Sequence, residues 1–445
     1  MKYNLDISYG ASYVLNTLHK NGYEAYIVGG SVRDMYLGNR AHDFDVTTSA
    51  TPEEIKAVFN DRSIIETGIK HGTVTVVIKG ENIEITTYRC DGSYTDSRHP
   101  DSVEFTRNLC DDLCRRDFTV NALAYDGEGE IIDLHGGKRD IENRVIRAIG
   151  DPYQRFTEDA LRILRGMRFS SVLGFEIEDR THQAILDLRH LLGKISRERI
   201  AEEINKLLCG KNAREVILNY SEVLGEIIPE INIMRGFDQK NRHHIYDILT
   251  HTAYVVSNIE PKKHLRLAAL LHDTGKPQTV STDENGEQHF YGHPHASEDI
   301  ARKFLNEYKY DNWTKDRVLL LVRVHDTVID EDKVYIKKRL NRMGKDAFFE
   351  LIQLQRADNK AQSPIYDRTE HFDKVEDIAR QIISESECFS LKDLSVNGRD
   401  LMENGFSRGK LLGEILDYLL RCVIEEKTEN NKEALLRLAR EQFGG

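Results

Sequence analysis

The stretch Tyr26–Val46, YIVGGSVRDMYLGNRAHDFDV, leaves this chain the fewest folds to choose from. Tyr26, Ile27 and Val28 form a short apolar run of strand type. Gly29 and Gly30 follow, where a missing Cβ lets the backbone approach a ligand closely. Ser31 is expected to cap a helix whose first N–H groups are free for phosphate. Past Gly38 the chain turns into Asp43-Phe44-Asp45-Val46. Side chains two apart on a strand share a face, so Asp43 and Asp45 point one way while Phe44 and Val46 point to a core. Two carboxylates beside a phosphate-binding turn suit Mg²⁺, which takes a few carboxylates together with phosphate oxygens and water. Such a site can clamp the attacking and leaving oxygens of a phosphoryl transfer.

At 445 residues the chain is too long for one core, and about two to four domains are expected. With 40% hydrophobic and 31% charged residues it has the composition of a soluble globular protein. No apolar run approaches the roughly 18 residues of a membrane span. The opening MKYNLDISYG lacks the apolar core of a signal peptide, and the six cysteines contain no CxxC pair, so a reduced, cytoplasmic protein is expected. The net charge of −12 argues against indiscriminate nucleic-acid binding but leaves room for local basic patches.

Downstream, Thr51-Pro52-Glu53-Glu54 reads as a capped helix start. Two strand-like runs, Thr73–Lys79 and Asn82–Tyr88, flank a turn at Gly80-Glu81. Glu84 alternates with Ile83 and Ile85 and is a candidate third acid for the metal site. Arg89–Phe105 is polar and reads as a long loop. Leu113–Ala124, LCRRDFTVNALA, joins apolar anchors to the charged group Arg115, Arg116 and Asp117. Taken locally, this charged group reads as a solvated helix start. Thr157–Phe169, TEDALRILRGMRF, has helical periodicity with Thr157 as cap, which makes Asp159 and Arg162 surface neighbours three residues apart.

GGxxRD followed by DxD, here Gly29, Gly30, Arg33, Asp34, Asp43 and Asp45, resembles the signature of the class II nucleotidyltransferases. These are the CCA-adding enzymes and bacterial poly(A) polymerases of the DNA polymerase β superfamily. The resemblance extends to the RRDFTxNA motif, whose Arg116, Asp117 and Asn121 it assigns to the bound nucleotide, and to a flexible specificity loop at DGSYTDSRHP. It also covers the EDxxR motif, here Glu158, Asp159 and Arg162, which in that family serves as a protein template. Asp159 would accept from the exocyclic amine of cytosine or adenine, and Arg162 would donate to the adjacent ring nitrogen and to cytosine O2. U and G carry a carbonyl there and would leave buried groups unpaired, at about 1–3 kcal/mol each. Arg165 and Arg168 are candidate nucleotide or phosphate contacts, with Lys194, Arg197 and Arg199 as further contacts for an RNA acceptor stem.

Farther along, His251, His272-Asp273, His295, His325 and Asp358 occur in the order that resembles the HD phosphohydrolases. His251, His272, Asp273 and Asp358 would hold one metal, and His295 and His325 would add ligands for a second. Imidazole with carboxylate suits Mn²⁺, Fe, Co²⁺ or Ni²⁺ as well as Mg²⁺. The glycine-punctuated Asn397–Leu416 resembles the RNA-binding tail of many CCA-adding enzymes.

The expected fold is an α/β N-terminal nucleotidyltransferase head with a small mixed sheet, followed by all-α neck, HD and tail regions. The boundaries expected are 1–150 for the head, 151–235 for the neck, 236–362 for the HD domain and 363–445 for the tail. The expected activity is template-independent addition of C, C and A to the tRNA 3′ end from CTP and ATP, with Mg²⁺, by a monomer or homodimer without a membrane partner. Poly(A) polymerase and A-adding activity stay open, as does a hydrolase working chiefly at the histidine site. In stress-nucleotide synthetase/hydrolases the HD domain precedes the transferase domain, the reverse of the order here.

Overall fold

The computed structural model describes residue 3 and residues 5–41, 43–91 and 103–444. The expected specificity loop falls largely on 92–102, outside the described residues; at its ends Arg89–Asp91 and Val103–Phe105 pair as antiparallel strands. The described chain forms two compact units, one comprising residues 1–232 with 307–309, the other residues 233–306 with 310–445.

The first unit opens with α1 (Tyr9–Lys20), which buries Val14, Leu15 and Leu18. Its sheet has seven strands: β1 (Ala25–Val28), β2 (Asp45–Thr48), β3 (Ser63–Ile65), β4 (Thr73–Ile78), β5 (Glu81–Thr87), β6 (Leu123–Tyr125) and β7 (Ile131–Asp133). In space the order is β3-β4-β5-β2-β1-β6-β7, with β2 and β5 parallel and every other pairing antiparallel. This is the mixed sheet the sequence implied. Ile27, Val46, Ile83 and Ile85 are fully or almost fully buried, and the alternate positions Asp45 and Glu84 face outward. The parallel register sets Asp45 directly beside Glu84.

α2 (Gly30–Tyr36) follows β1 through Gly29, which stands at φ +80°. Ser31 does not cap this helix: its hydroxyl donates back to the Val28 carbonyl, and Gly29 occupies the cap position. α3 (Pro52–Val58) has the expected start, with Thr51 and Glu54 forming a reciprocal capping box. α4 (Leu109–Cys114) and α5 (Gly137–Glu142) complete the head. A Cβ on Gly137 would lie 2.3 Å from the Thr119 carbonyl, so the Asp133–Gly137 turn needs glycine to pack there.

The neck is not one helix from Thr157. α6 (Pro152–Glu158) ends at Asp159, whose φ of −135° and ψ of 101° are extended, and α7 (Leu161–Leu173) starts afresh. Thr157 lies inside α6, its hydroxyl donating to the Tyr153 carbonyl. α8 (Asp179–Leu188) and α9 (Arg197–Leu208) pack on this pair.

The second unit is helical apart from the short hairpin Ser281–Thr282 with Gln288–His289. Its helices Ile248–Asn258, Lys263–Leu271, Asn312–Val324 and Lys345–Lys360 pack together through fully buried Val255, Leu267, Leu321 and Leu351. Near the C-terminus, Val396, Leu401, Ile415, Leu419 and Leu435 form a separate apolar cluster. No described helix is long and apolar enough to cross a membrane.

Candidate active site

The first unit holds a cavity of about 530 Å³. It is lined by Gly29, Gly30, Arg33 and Asp45 from the head sheet and α2, by Arg115, Arg116, Asp117 and Asn121 after α4, and by Asp159, Arg162, Arg165, Arg168, Phe169 and Arg199 from the neck. Motifs up to 170 residues apart in sequence thus share one wall. A Cβ on Gly29 would sit 3.5 Å from Arg116 Nη1 and 4.0 Å from Asp45 Oδ2, so this glycine floors the cavity between a cation and a carboxylate.

Asp43, Asp45 and Glu84 are exposed beside buried Phe44, Val46 and Ile85, with Asp43 and Phe44 just ahead of the strand that starts at Asp45. Of the three acids, Asp45 lines the cavity; Asp43 and Glu84 lie outside its lining. Crowding by surrounding protein raises the Asp45 pKa, the charges of Glu84 and Asp43 add to the rise, and Arg116 opposes it. A cation would relieve this repulsion. Among the described residues the three carboxylates do not converge as a preformed cage within 4.8 Å. That suits an ion completed by phosphate oxygens and water rather than one held by protein alone.

The arginines are held by carboxylates. Asp112, fully buried and not anticipated from the sequence, accepts from Arg115 Nη2 at 2.7 Å, Arg116 Nη2 at 3.2 Å and the Thr47 hydroxyl at 3.1 Å. Its only sequence signal was an acid three and four residues before two arginines. Asp117 accepts from Arg165 Nε at 2.7 Å, Asn121 Nδ2 at 3.2 Å and its neighbour's N–H. Burial alone would raise Asp117; the Arg165 charge and these hydrogen bonds outweigh it and hold the carboxyl at about 2. Asp34 departs from expectation: it lies outside the lining and accepts from Arg33 Nε at 2.9 Å, which leaves Arg33 to donate to Asn121.

The break at Asp159 changes the reading of the neck motif. Arg162 does not pair with Asp159. It donates to Glu158 Oε2 at 3.0 Å and to the Arg115 carbonyl at 2.9 Å. Asp159 accepts from the Leu161 N–H at 3.1 Å and from Arg199 Nη2 at 3.3 Å. Each member of the pair therefore has its own holder, and both line the cavity. Arg199 belongs to this holding set.

In the second unit, His251, His272, Asp273 and Asp358 meet, drawn from helix 248–258, the end of helix 263–271 and helix 345–360. His251 Nε2 is 2.8 Å from Asp358 Oδ1 and 3.5 Å from Asp273 Oδ2, and His272 Nε2 is 3.2 Å from Asp273 Oδ2. On the other oxygen, Asp273 Oδ1 lies 3.4 Å from His293 Nε2 and 3.7 Å from His325 Nε2. His295 is corrected: it is exposed, and His293 stands in its place. Both lie in the helix starting at His293, where two residues rotate the side chain about 200° to the other face. His243 and His244 also line the cavity next to this cluster, which the ordered histidine pattern did not indicate.

Each ligand-like imidazole has Nδ1 on a backbone carbonyl: His251 on Ala361, His272 on Ala269, His293 on Phe290 and His325 on Val322. A carbonyl only accepts, so these Nδ1 atoms carry protons, and the Nε2 atoms are turned toward Asp273. His251 Nε2, His272 Nε2 and Asp273 Oδ2 are buried without a well-aligned hydrogen-bond partner. Lys276 Nζ, 2.7 Å from Asp273 Oδ2, supplies one positive charge at the rim. Against the effect of burial, His272 and Lys276 hold Asp273 well below the usual carboxylate range.

Residues 25–147 match the family model "Poly A polymerase head domain". Residues 174–234 match "Probable RNA and SrmB- binding site of polymerase A", and residues 289–439 match a model of tRNA nucleotidyltransferase domain 2. The chain is 36% identical to a CCA-adding enzyme of Lactobacillus helveticus over 97% of its own length and 96% of that protein's. It is 34% identical to a CCA-adding enzyme of Enterococcus faecalis, over 97% and 95%. In structure it is similar to the Bacillus stearothermophilus CCA-adding enzyme in complex with CTP, with a TM-score of 0.75 and 30% identity over 98% of this chain and 97% of that one.

Proposed function

The chain belongs to the CCA-adding enzymes, and from that premise we propose how its own residues carry template-independent addition of C, C and A to the tRNA 3′ end. The 3′-hydroxyl of the acceptor attacks the α-phosphate of CTP or ATP; the new P–O bond forms as the bond to pyrophosphate breaks, and the hydroxyl proton passes to solvent. The family's nucleotidyltransferase head implies a divalent metal, and Asp43 and Asp45, with Glu84 beside them, would hold Mg²⁺. When bound, that ion supplies charge stabilisation to the attacking and leaving oxygens.

Arg33, Arg116, Arg165 and Arg168 bind the triphosphate on this reading, and Asp117 with Asn121 faces the ribose. Asp159 and Arg162 choose the base. The observation that carries the reading is their separate anchoring, Asp159 on Arg199 and Arg162 on Glu158 and the Arg115 carbonyl, within the same cavity as Asp45. An acceptor and a donor held independently keep their orientation as the base enters. They suit the amine and ring nitrogen shared by C and A, and oppose the carbonyl of U and G. The six cysteines form no disulfide, which suits the cytoplasmic setting where tRNA and nucleotides meet.

A second reading concerns the histidine cluster. His293 Nε2 and His325 Nε2 lie 3.1 Å apart, two lone pairs facing each other beside Asp273 Oδ1. A proton or a cation must stand between them. Together with His251 and His272 converging on Oδ2, this supports a divalent transition-metal site, with Asp273 shared between two positions. A metal there would supply Lewis-acid chemistry for phosphoester hydrolysis.

The test of the main reading offers purified protein and Mg²⁺ a tRNA lacking its 3′ end, with each labelled nucleotide alone and then CTP with ATP. Two C residues, one A and arrest are expected. A long A tract would move the protein to the poly(A) polymerases, and no incorporation would overturn the transferase assignment.

A further inference from the structure

Phe169 was not singled out by any motif, yet it sits at the centre of the cation-rich wall. Its ring is 8% exposed and lines the cavity. Three guanidinium carbons surround it: Arg168 at 4.2 Å from the ring centroid, Arg33 at 5.4 Å and Arg165 at 5.5 Å. Arg33 comes from α2 in the head, while Arg165 and Arg168 come from α7 in the neck. The ring is itself held edge-on by Phe118, with centroids 5.8 Å apart and planes at 78°. Gly166 makes room for that contact: a Cβ there would lie 3.0 Å from Phe118 Cζ.

Three cations gathered on one ring repel each other. Each is restrained by a different acid: Arg33 by Asp34 at 2.8 Å, Arg165 by Asp117 at 2.5 Å and Arg168 by Glu203 at 3.2 Å. Those acids lie on three separate elements, so on their own they would pull the guanidinium groups apart. The negative face of an aromatic ring offers a common surface that holds cations without consuming their N–H donors. The donors not used by the acids then stay available to an anion with several oxygens.

We infer that Phe169 is a positioning residue for the triphosphate: it gathers Arg33, Arg165 and Arg168 into one receptor spanning head and neck. The inference rests on the reading of this cavity as the nucleotide site. It concerns the phosphate end and not base choice, because Asp159 and Arg162 are held by Arg199, Glu158 and the Arg115 carbonyl and do not touch the ring cluster.

Phe169→Leu keeps an apolar side chain and removes the ring face. KM for CTP and for ATP should both rise about tenfold, with kcat changed far less and discrimination against UTP unchanged. Inhibition by pyrophosphate should weaken by the same factor, while inhibition by CMP, which lacks the outer phosphates, should not move. Phe169→Trp should restore the wild-type KM. Should Phe169→Leu fail to fold, Phe169→3,4,5-trifluorophenylalanine keeps the shape, drains the ring of negative charge and should reproduce the same rise. An unchanged nucleotide KM in the folded variant would overturn the inference. So would a rise confined to the KM for tRNA, which would assign the arginines to the acceptor backbone. Failure of the underlying reading shows differently, as absence of incorporation and of pyrophosphate inhibition in the wild-type protein.

Discussion

The cavity of the first unit and the histidine cluster of the second both gather opposite charges, but they do so in different states of satisfaction. In the cavity nearly every cation has a carboxylate: Arg115 and Arg116 on Asp112, Arg165 on Asp117, Arg162 on Glu158, Arg199 on Asp159. Its side chains are buried or partly buried, and the wall is organised by these pairs. In the cluster the imidazoles are buried, their Nδ1 atoms donate to carbonyls, and Nε2 atoms converge on one carboxylate that also has Lys276 Nζ 2.7 Å from its Oδ2. The first arrangement receives a large anion by offering spare donors on guanidinium groups already held in place. The second gathers imidazoles and carboxylates in groups of the kind that could hold a cation. Arginines each held by an acid thus mark the first region, and imidazoles converging on one shared carboxylate mark the second.

The largest effects should separate the two regions outright. Asp45→Ala is expected to lower nucleotide addition at least about a thousandfold, since it removes the carboxylate at the cavity that would hold the metal. Binding of Mn²⁺ or Ni²⁺ at the cluster, followed by calorimetry, should be unchanged. His272→Ala should do the reverse, weakening that binding about a hundredfold or more while addition stays within about twofold. If each variant damaged both readouts, the two regions would not be independent sites.

Smaller effects sharpen the account of the cavity. Arg199→Met should free the Asp159 carboxylate and reduce the preference for CTP over UTP about tenfold, measured as the ratio of kcat/KM values. Arg199→Lys should recover part of it. The smallest effect is on stability. Asp117 is held at about 2 in the folded protein against an ordinary 3.8, so its contribution is complete above about pH 4 and fades as the pH falls through 2. Asp117→Asn should cost about 2 kcal/mol at pH 7, and urea unfolding should show the gap closing below about pH 4.

The sites were readable in unequal measure. Asp43, Phe44, Asp45 and Val46 alternate between exposed and buried as the two-residue period expects, although the strand itself begins only at Asp45. Glu84 could be placed on a strand, but its registry with Asp45 required the parallel pairing of two strands separated by more than 30 residues. The spacing of Asp159 and Arg162 made them surface neighbours on a continuous helix. Nothing local announces the extended conformation at Asp159, because the alternative partners Arg199 and the Arg115 carbonyl come from distant parts of the chain. The ordered histidines pointed to His295, whereas the fold brings in His293, two residues away and about 200° round the same helix.

By itself the sequence determined the chemistry available to this protein: a glycine turn for phosphate, a pair of strand carboxylates, an acid and an arginine in the neck, and an ordered set of histidines and aspartates. Those are properties of residue type and of short-range periodicity, and they survive any arrangement of the domains. Only the tertiary structure decided which acid holds which arginine, where the neck helix breaks, which histidine joins the cluster, and that Phe169 gathers three guanidinium groups. Each of those depends on packing between segments far apart in sequence. There the free energy of satisfying a buried charge outweighs local helix preference, and no local pattern records the outcome.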